Sequence, residues 1–222
     1  KAIQPTDLEA FAELVETAVT RFAPIAAPQS LARLLARQAR RAKADLPEKF
    51  THAVQGLLDD FGKALGVNFV GPEGEEFFRS SLIQTAFYGL FAGWALWWQG
   101  KRSKPFAWGD LAEYLKIPFL GSLFYEFRHP SRIKELRLAK HLDIATETLA
   151  RVNDDLFFKR FRLPTLKHEE ASATTAIMYF YEPFLNAFDP DLRKELGVWY
   201  TPTQIVRYQV AKIDRILRDE LR

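Results

Sequence analysis

The segment 197–208 has the clearest capacity to bind a ligand. Gly197 permits a left-handed backbone conformation, and Thr201, Pro202 and Gln204 have the spacing of a capped helix start. Thr201 is predicted to cap the helix, with Pro202 as its first residue. Backbone N–H groups at such a helix start can hold an anionic or polar ligand. The residue types alone do not name that ligand, and a capped helix start that binds nothing fits them equally well.

A cluster of arginines is the second group of residues that could bind a ligand. Arg33, Arg37 and Arg40 fall on one face of a predicted helix, and Arg41 lies beside them. Such side chains can neutralise DNA phosphates and give salt-sensitive affinity that does not depend on base sequence. Basic helix faces are also commonly just solvated. The sequence leaves both interpretations open.

The remaining ionisable residues do not predict a catalytic or metal centre. The histidines are scattered, without ligand-like spacing, and the sequence has no cysteine. It contains no nucleophile placed beside a base. We therefore predict no catalytic residue and no metal ligand in this chain, and the lack of cysteine fits a cytoplasmic protein.

The elements that must position these groups are predicted to be helices, since apolar residues recur at helical spacing and strand patterns are nearly missing. Ser131 is predicted to cap a helix that runs to about Phe158. The long apolar run Ala86–Trp98 is shorter than the ~20 residues of a membrane span. We therefore predict an all-α, multi-helix domain or bundle with this run as a core helix, and no membrane contact.

The end of the chain resembles a known family. The segments Tyr181–Pro190 and Gly197–Pro202 are similar to the lead-in to the methyltransferase core of N6-adenine DNA methyltransferases, of the type ISP-like restriction-modification and phage-defence kind. Phe188 and Trp199 replace tyrosines of that pattern, and Pro183 is a further departure. Residues 84–92 and 117–124 resemble the helical region before the same loop. The matching positions of the lead-in are Tyr181, Glu182, Phe184, Leu185, Asp189, Pro190, Gly197, Val198, Tyr200, Thr201 and Pro202.

The resemblance implies a cofactor and a reaction. In that family the loop helps to hold S-adenosylmethionine, so Tyr200, Thr201 and Pro202 are the expected cofactor-binding residues. The parent enzyme would transfer a methyl group to adenine N6 in double-stranded DNA, in the cytoplasm of a bacterium or archaeon. Arg33, Arg37, Arg40 and Arg41 are the expected DNA-binding residues.

The motifs that should follow the loop in this family do not occur in the sequence. These are the glycine-rich cofactor motif and the (Asn/Asp)-Pro-Pro-(Tyr/Phe) catalytic motif. We therefore expect a truncated, inactive fragment of a larger enzyme, with only half of the cofactor site. Residues 1–190 would be a helical spacer or coupler, and 191–222 the start of the methyltransferase domain. The alternative is a structural or protein-binding helical module that links domains and contacts neither ligand nor DNA.

Overall fold

The chain is built from α-helices, as a computed structural model shows. The predicted all-α, multi-helix fold class is confirmed, and the part of the chain that the structure describes contains no strand. An isolated bridge between Ile25 and Val152 is the β-type contact in that part. The structure describes residues 15, 23–100, 104–116, 118–161, 173–190 and 203–219.

Ten α-helices occur in these described residues, and a 3-10 turn at Trp108–Asp110 leads into the fourth of them. They are, in chain order, α1 (Pro28–Asp45), α2 (His52–Leu65), α3 (Gly71–Gln99), α4 (Leu111–Tyr114), α5 (Pro118–Phe127), α6 (Pro130–Glu135), α7 (Ala139–Ala150), α8 (Asp154–Lys159), α9 (Ala173–Phe188) and α10 (Thr203–Asp219).

The chain divides into two compact units, Lys1–Phe188 and Asp189–Arg222. Helices α1 to α9 belong to the first unit, and α10 belongs to the second. Whether the units correspond to a coupler and to the start of a methyltransferase domain stays a prediction.

Helix α3 is the centre of the first unit. Every residue from Gly89 to Ala95 is buried, so this part of the helix has no solvent-facing side. Helices α1, α4, α5, α7 and α9 pack against it. Pro72 in its first turn suits the helix start, and α3 begins about four turns before the apolar run. The apolar run is thus a core helix, as predicted, and no helix in the described ranges is both long and apolar enough to cross a bilayer.

Aromatic side chains join α3 to α8 and α9. The ring of Phe91 stacks on that of Phe180 with centroids 3.7 Å apart, and Trp94 stacks on Phe158 at 5.3 Å. Phe157 packs edge-on against Trp94. Each such pair contributes roughly 0.5–1.5 kcal/mol beyond the area that it buries. The phenylalanines of α8 therefore serve the core, and they are not a surface for stacking bases.

The predicted helix from Ser131 to about Phe158 is wrong, because the structure has three helices there. Helix α6 ends in a Schellman motif, in which Leu138 N–H bonds to Ile133 O and Arg137 N–H bonds to Lys134 O. Arg137 has a φ of 55° at the position that glycine usually takes. Asn153 then caps α8 by accepting a bond from Leu156 N–H at 3.1 Å.

The close approach of α5 to α3 gives a stability test. A β-carbon at Gly89 would lie 2.7 Å from Cε2 of the buried Phe124 ring. We expect Gly89→Ala to lower the free energy of unfolding by about 1–3 kcal/mol, because the ring must shift in a packed core. Urea denaturation measures this.

Gly56→Ala is the matched control. Gly56 lies exposed in α2, and an added β-carbon there would meet nothing within 4 Å. This change should raise stability by about 0.5–1 kcal/mol, because alanine favours the helix. Equal effects of the two substitutions would contradict the proposed packing of α5 on α3.

Candidate functional site

Helix α1 places the predicted DNA-binding arginines on its outer side. The buried residues of α1 include Leu31, Leu35, Ala39 and Ala42, which occupy the inner side. Opposite them, Arg33, Arg40 and Arg41 are exposed and Arg37 is half-buried. The structure therefore brings the four guanidinium groups to one side of a single helix, as the spacing predicts. This arrangement can meet several phosphates along a backbone.

Arg40 also has a role inside the protein. Its Nη1 donates a hydrogen bond to the carbonyl oxygen of Ala187. Helix α9 ends at Phe188, so this carbonyl is one of the last four, which lack partners within the helix. Arg40 therefore caps the C-terminal end of α9, which packs along α1.

Two basic residues beyond the arginine cluster, Lys43 and Arg79, are engaged by acids and carbonyl groups. Lys43 Nζ lies 2.6 Å from Glu76 Oε1. Arg79 lies over the ring of Phe50, donates to the carbonyls of Pro47 and Glu48, and pairs with Glu75. These contacts fix the segment after α1 against α3.

A buried polar cluster holds α1 on α7. His141, which is only 4% exposed, lies between Gln38 and Asp45. Gln38 Nε2 is 2.6 Å from His141 Nδ1, and His141 Nε2 is 2.9 Å from Asp45 Oδ2. Because a carboxylate only accepts, Nε2 carries the proton and Nδ1 accepts from Gln38. A buried network that is satisfied in this way fixes the position of one helix on the other.

Asp45 is the charged end of this cluster. Lys140 Nζ lies 2.6 Å from Asp45 Oδ2. The hydrogen bond from Lys140, followed by that from His141, holds the pKa of Asp45 below its ordinary value of 3.8. Asp45 is the last residue of α1, where a negative charge is unfavourable, and these two donors offset it.

Sequence reasoning missed this cluster, although one signal for it exists. Gln38 lies seven residues after Leu31, on the line of buried residues of α1. A polar residue on an otherwise apolar helix side needs a partner. The identity of that partner, His141, depends on the fold.

The predicted cofactor residues Tyr200, Thr201 and Pro202 lie outside the described residues. The helix predicted to follow them is present as α10, Thr203–Asp219. Its apolar stripe is exposed at 41–60% per side chain. The stripe consists of Val206, Val210, Ile213 and Leu217.

Three of the four segments that carry the family resemblance pack together around α3. Gln84 Nε2 donates to the hydroxyl of Tyr181 at 2.6 Å. The ring of Tyr88 packs edge-on against that of Tyr181, and its hydroxyl donates to the carbonyl of Ile177 in α9. Phe124 of the third segment contacts α3 at Gly89. Residues from 84–92, 117–124 and 181–190 thus share one core.

The described residues contain no group of three or more acidic or histidine side chains that could hold a metal ion. The chain gives no match to protein-family models, to curated proteins or to solved structures. The resemblance to adenine methyltransferases therefore stays a prediction from the motif residues.

The Asp45 cluster predicts a dependence of stability on pH. A carboxyl group with a lowered pKa in the folded state stabilises the protein above its ordinary pKa, and this contribution is lost as the pH falls through the lowered value. We expect Asp45→Asn to destabilise the protein at neutral pH. The difference from the unmodified protein should shrink below about pH 4.

Thermal denaturation between neutral pH and pH 3 measures this difference. Asp59→Asn is the control, because Asp59 is exposed on α2 and forms no ion pair within the described ranges. The assigned role of the Asp45 carboxylate would be contradicted if the melting temperatures of Asp45→Asn and the unmodified protein differed by the same amount at every pH.

Proposed function

We propose that this chain is the helical coupler of an S-adenosylmethionine-dependent N6-adenine DNA methyltransferase from a restriction-modification or phage-defence system. The observation that carries the proposal is that three of the four resembling segments share one core, with 117–124 and 181–190 each packing on 84–92. Gln84, Tyr88 and Gly89 on α3 meet Tyr181 on α9 and Phe124 on α5. Motif residues that are distant in sequence and close in space form one structural unit, which supports a shared origin with that family over three chance similarities.

The exposed stripe of α10 also supports the proposal. An amphipathic helix normally buries its apolar side against another element. Val206, Val210 and Ile213 are each exposed by 41% or more. In the proposed enzyme the rest of the methyltransferase chain is the partner that covers this stripe, in the cytoplasm of a bacterium or archaeon.

The proposal assigns cofactor binding and DNA binding to different parts of the chain. Tyr200, Thr201 and Pro202 form half of the cofactor site at the start of α10. S-adenosylmethionine supplies the methyl group, and the adenine-binding and catalytic groups lie on the remainder of the enzyme. The arginines of α1 contact the phosphates of double-stranded DNA. The chain by itself then supports the catalytic domain and transfers no methyl group.

The alternative is a structural module that links domains and binds neither DNA nor cofactor. The contact of Arg40 with Ala187 favours it, because part of the basic face then serves the fold. Direct binding experiments on the two proposed sites separate the alternatives.

The cofactor site is tested in the full-length enzyme with Tyr200→Ala and Thr201→Ala. Both changes should weaken S-adenosylmethionine binding more than DNA binding in calorimetric titrations. Thr201→Ala would also remove the predicted helix cap, and a cap of this kind contributes about 1 kcal/mol locally. Thr201→Ser keeps the hydroxyl and should retain most of the affinity. Normal cofactor affinity in both alanine variants, with the protein folded, would contradict the assignment.

The basic face is tested on this chain with duplex DNA at several salt concentrations. If Arg33 contacts a phosphate, Arg33→Ala should reduce the slope of log affinity against log salt by about 0.9. Lys63→Ala, which removes an exposed positive charge on α2, is the control and should leave the slope unchanged. Identical slopes for Arg33→Ala and the unmodified chain would assign Arg33 to a solvated face.

A further inference from the structure

We propose that Arg40 couples DNA contact to the C-terminal end of α9, because one guanidinium group both caps α9 and takes a phosphate. This inference rests on the proposed function, since it takes duplex DNA as the ligand. It adds a structural consequence of binding at a particular residue, which the proposed function does not contain.

The geometry of Arg40 suits two partners at once. Its side chain is exposed on the outer side of α1, and its Nη1 donates to the carbonyl oxygen of Ala187. A guanidinium group carries five N–H donors in a planar fork. One donor is used on Ala187, and a phosphate can be bound through two parallel N–H groups on another edge.

The positive charge of Arg40 is attracted to both partners, and the ordering of its side chain is what couples the two contacts. The C-terminal end of a helix carries a partial negative charge, and a phosphate is an anion. The positive group between them attracts both. Ordering a long side chain costs conformational entropy. The first contact to form orders the Arg40 side chain, so the second contact costs less entropy. The two contacts are therefore cooperative, and the coupling acts equally in both directions.

The coupling acts at the end of the first compact unit, because α9 ends there. Phe188, the last residue of α9, is also the last residue of the first compact unit. A phosphate bound by Arg40 thus strengthens the last turn of α9, at the point where the chain leaves that unit. Arg33 lies seven residues earlier on α1, roughly 10 Å along the helix axis, and supplies charge without this contact.

Amide hydrogen exchange tests the inference on this chain. Exchange of the last-turn amides of Asn186, Ala187 and Phe188 is measured by NMR at low salt, with and without saturating duplex DNA. Without DNA, Arg40→Ala should exchange roughly fivefold faster there than the unmodified chain, as expected for the loss of one exposed capping bond. Arg40→Lys keeps the charge and a donor for Ala187 but lacks the planar fork, so it should bind DNA and lose less of the cap than Arg40→Ala does. Lys63→Ala, which removes an exposed positive charge on α2, should exchange as the unmodified chain does.

With saturating DNA, the unmodified chain and Lys63→Ala should both show slower exchange at these amides, whereas Arg40→Ala should show no slowing. Unchanged exchange in Arg40→Ala without DNA would overturn the cap, and equal slowing by DNA in Arg40→Ala would overturn the coupling. DNA that binds the unmodified chain without slowing exchange would overturn the inference and leave the proposed function intact. Absence of DNA binding to the unmodified chain would overturn both.

Discussion

The burial of α3 on every side is the constraint on which the rest of the first unit depends. A helix with no solvent-facing side must be surrounded, and seven consecutive buried residues, from Gly89 to Ala95, leave no alternative. Two glycines make this possible. A β-carbon at Gly93 would lie 2.0 Å from Leu111 Cδ2, and one at Gly89 would meet Phe124. Small residues on α3 thus allow α4 and α5 to approach closely, while its aromatic residues fill the space toward α8 and α9.

The candidate DNA-binding face is a consequence of this arrangement. Helices α1 and α9 pack on α3 and on each other, and the solvent-facing side of α1 carries the arginines. The contact of Arg40 with Ala187 and the buried Gln38–His141 pair then hold α1 from its two flanks. The helix that carries these charges therefore has a fixed position. A fixed row of charges matches a regular phosphate backbone better than a mobile basic tail does.

The sequence was sufficient for the fold class and for the principal helices, because their signals are local. Apolar spacing predicted the buried run Ala86–Trp98 and the amphipathic helix after Pro202. It failed where tertiary context decides. Arg137 takes a positive φ at a helix end, where glycine would have revealed the break between α6 and α7. The partners of Gln38 and Arg40 are 103 and 147 residues away, and no spacing rule reaches so far. The side of α1 that carries the arginines was predictable, but the capping of α9 by Arg40 was not.

Helix α10 shows why a helix can be predicted from its sequence and still need a partner. Ion pairs at helical spacing, Arg218 with Asp214 and Arg215 with Asp219, support it locally. Each such pair contributes only about 0.3–0.5 kcal/mol, and isolated helices of this length are marginal in water. Burial of its apolar stripe would stabilise α10 more than these ion pairs do, since burying a side chain of the size of Val or Leu contributes roughly 1.5–3 kcal/mol. The stability of α10 therefore depends mainly on whatever covers Val206, Val210, Ile213 and Leu217.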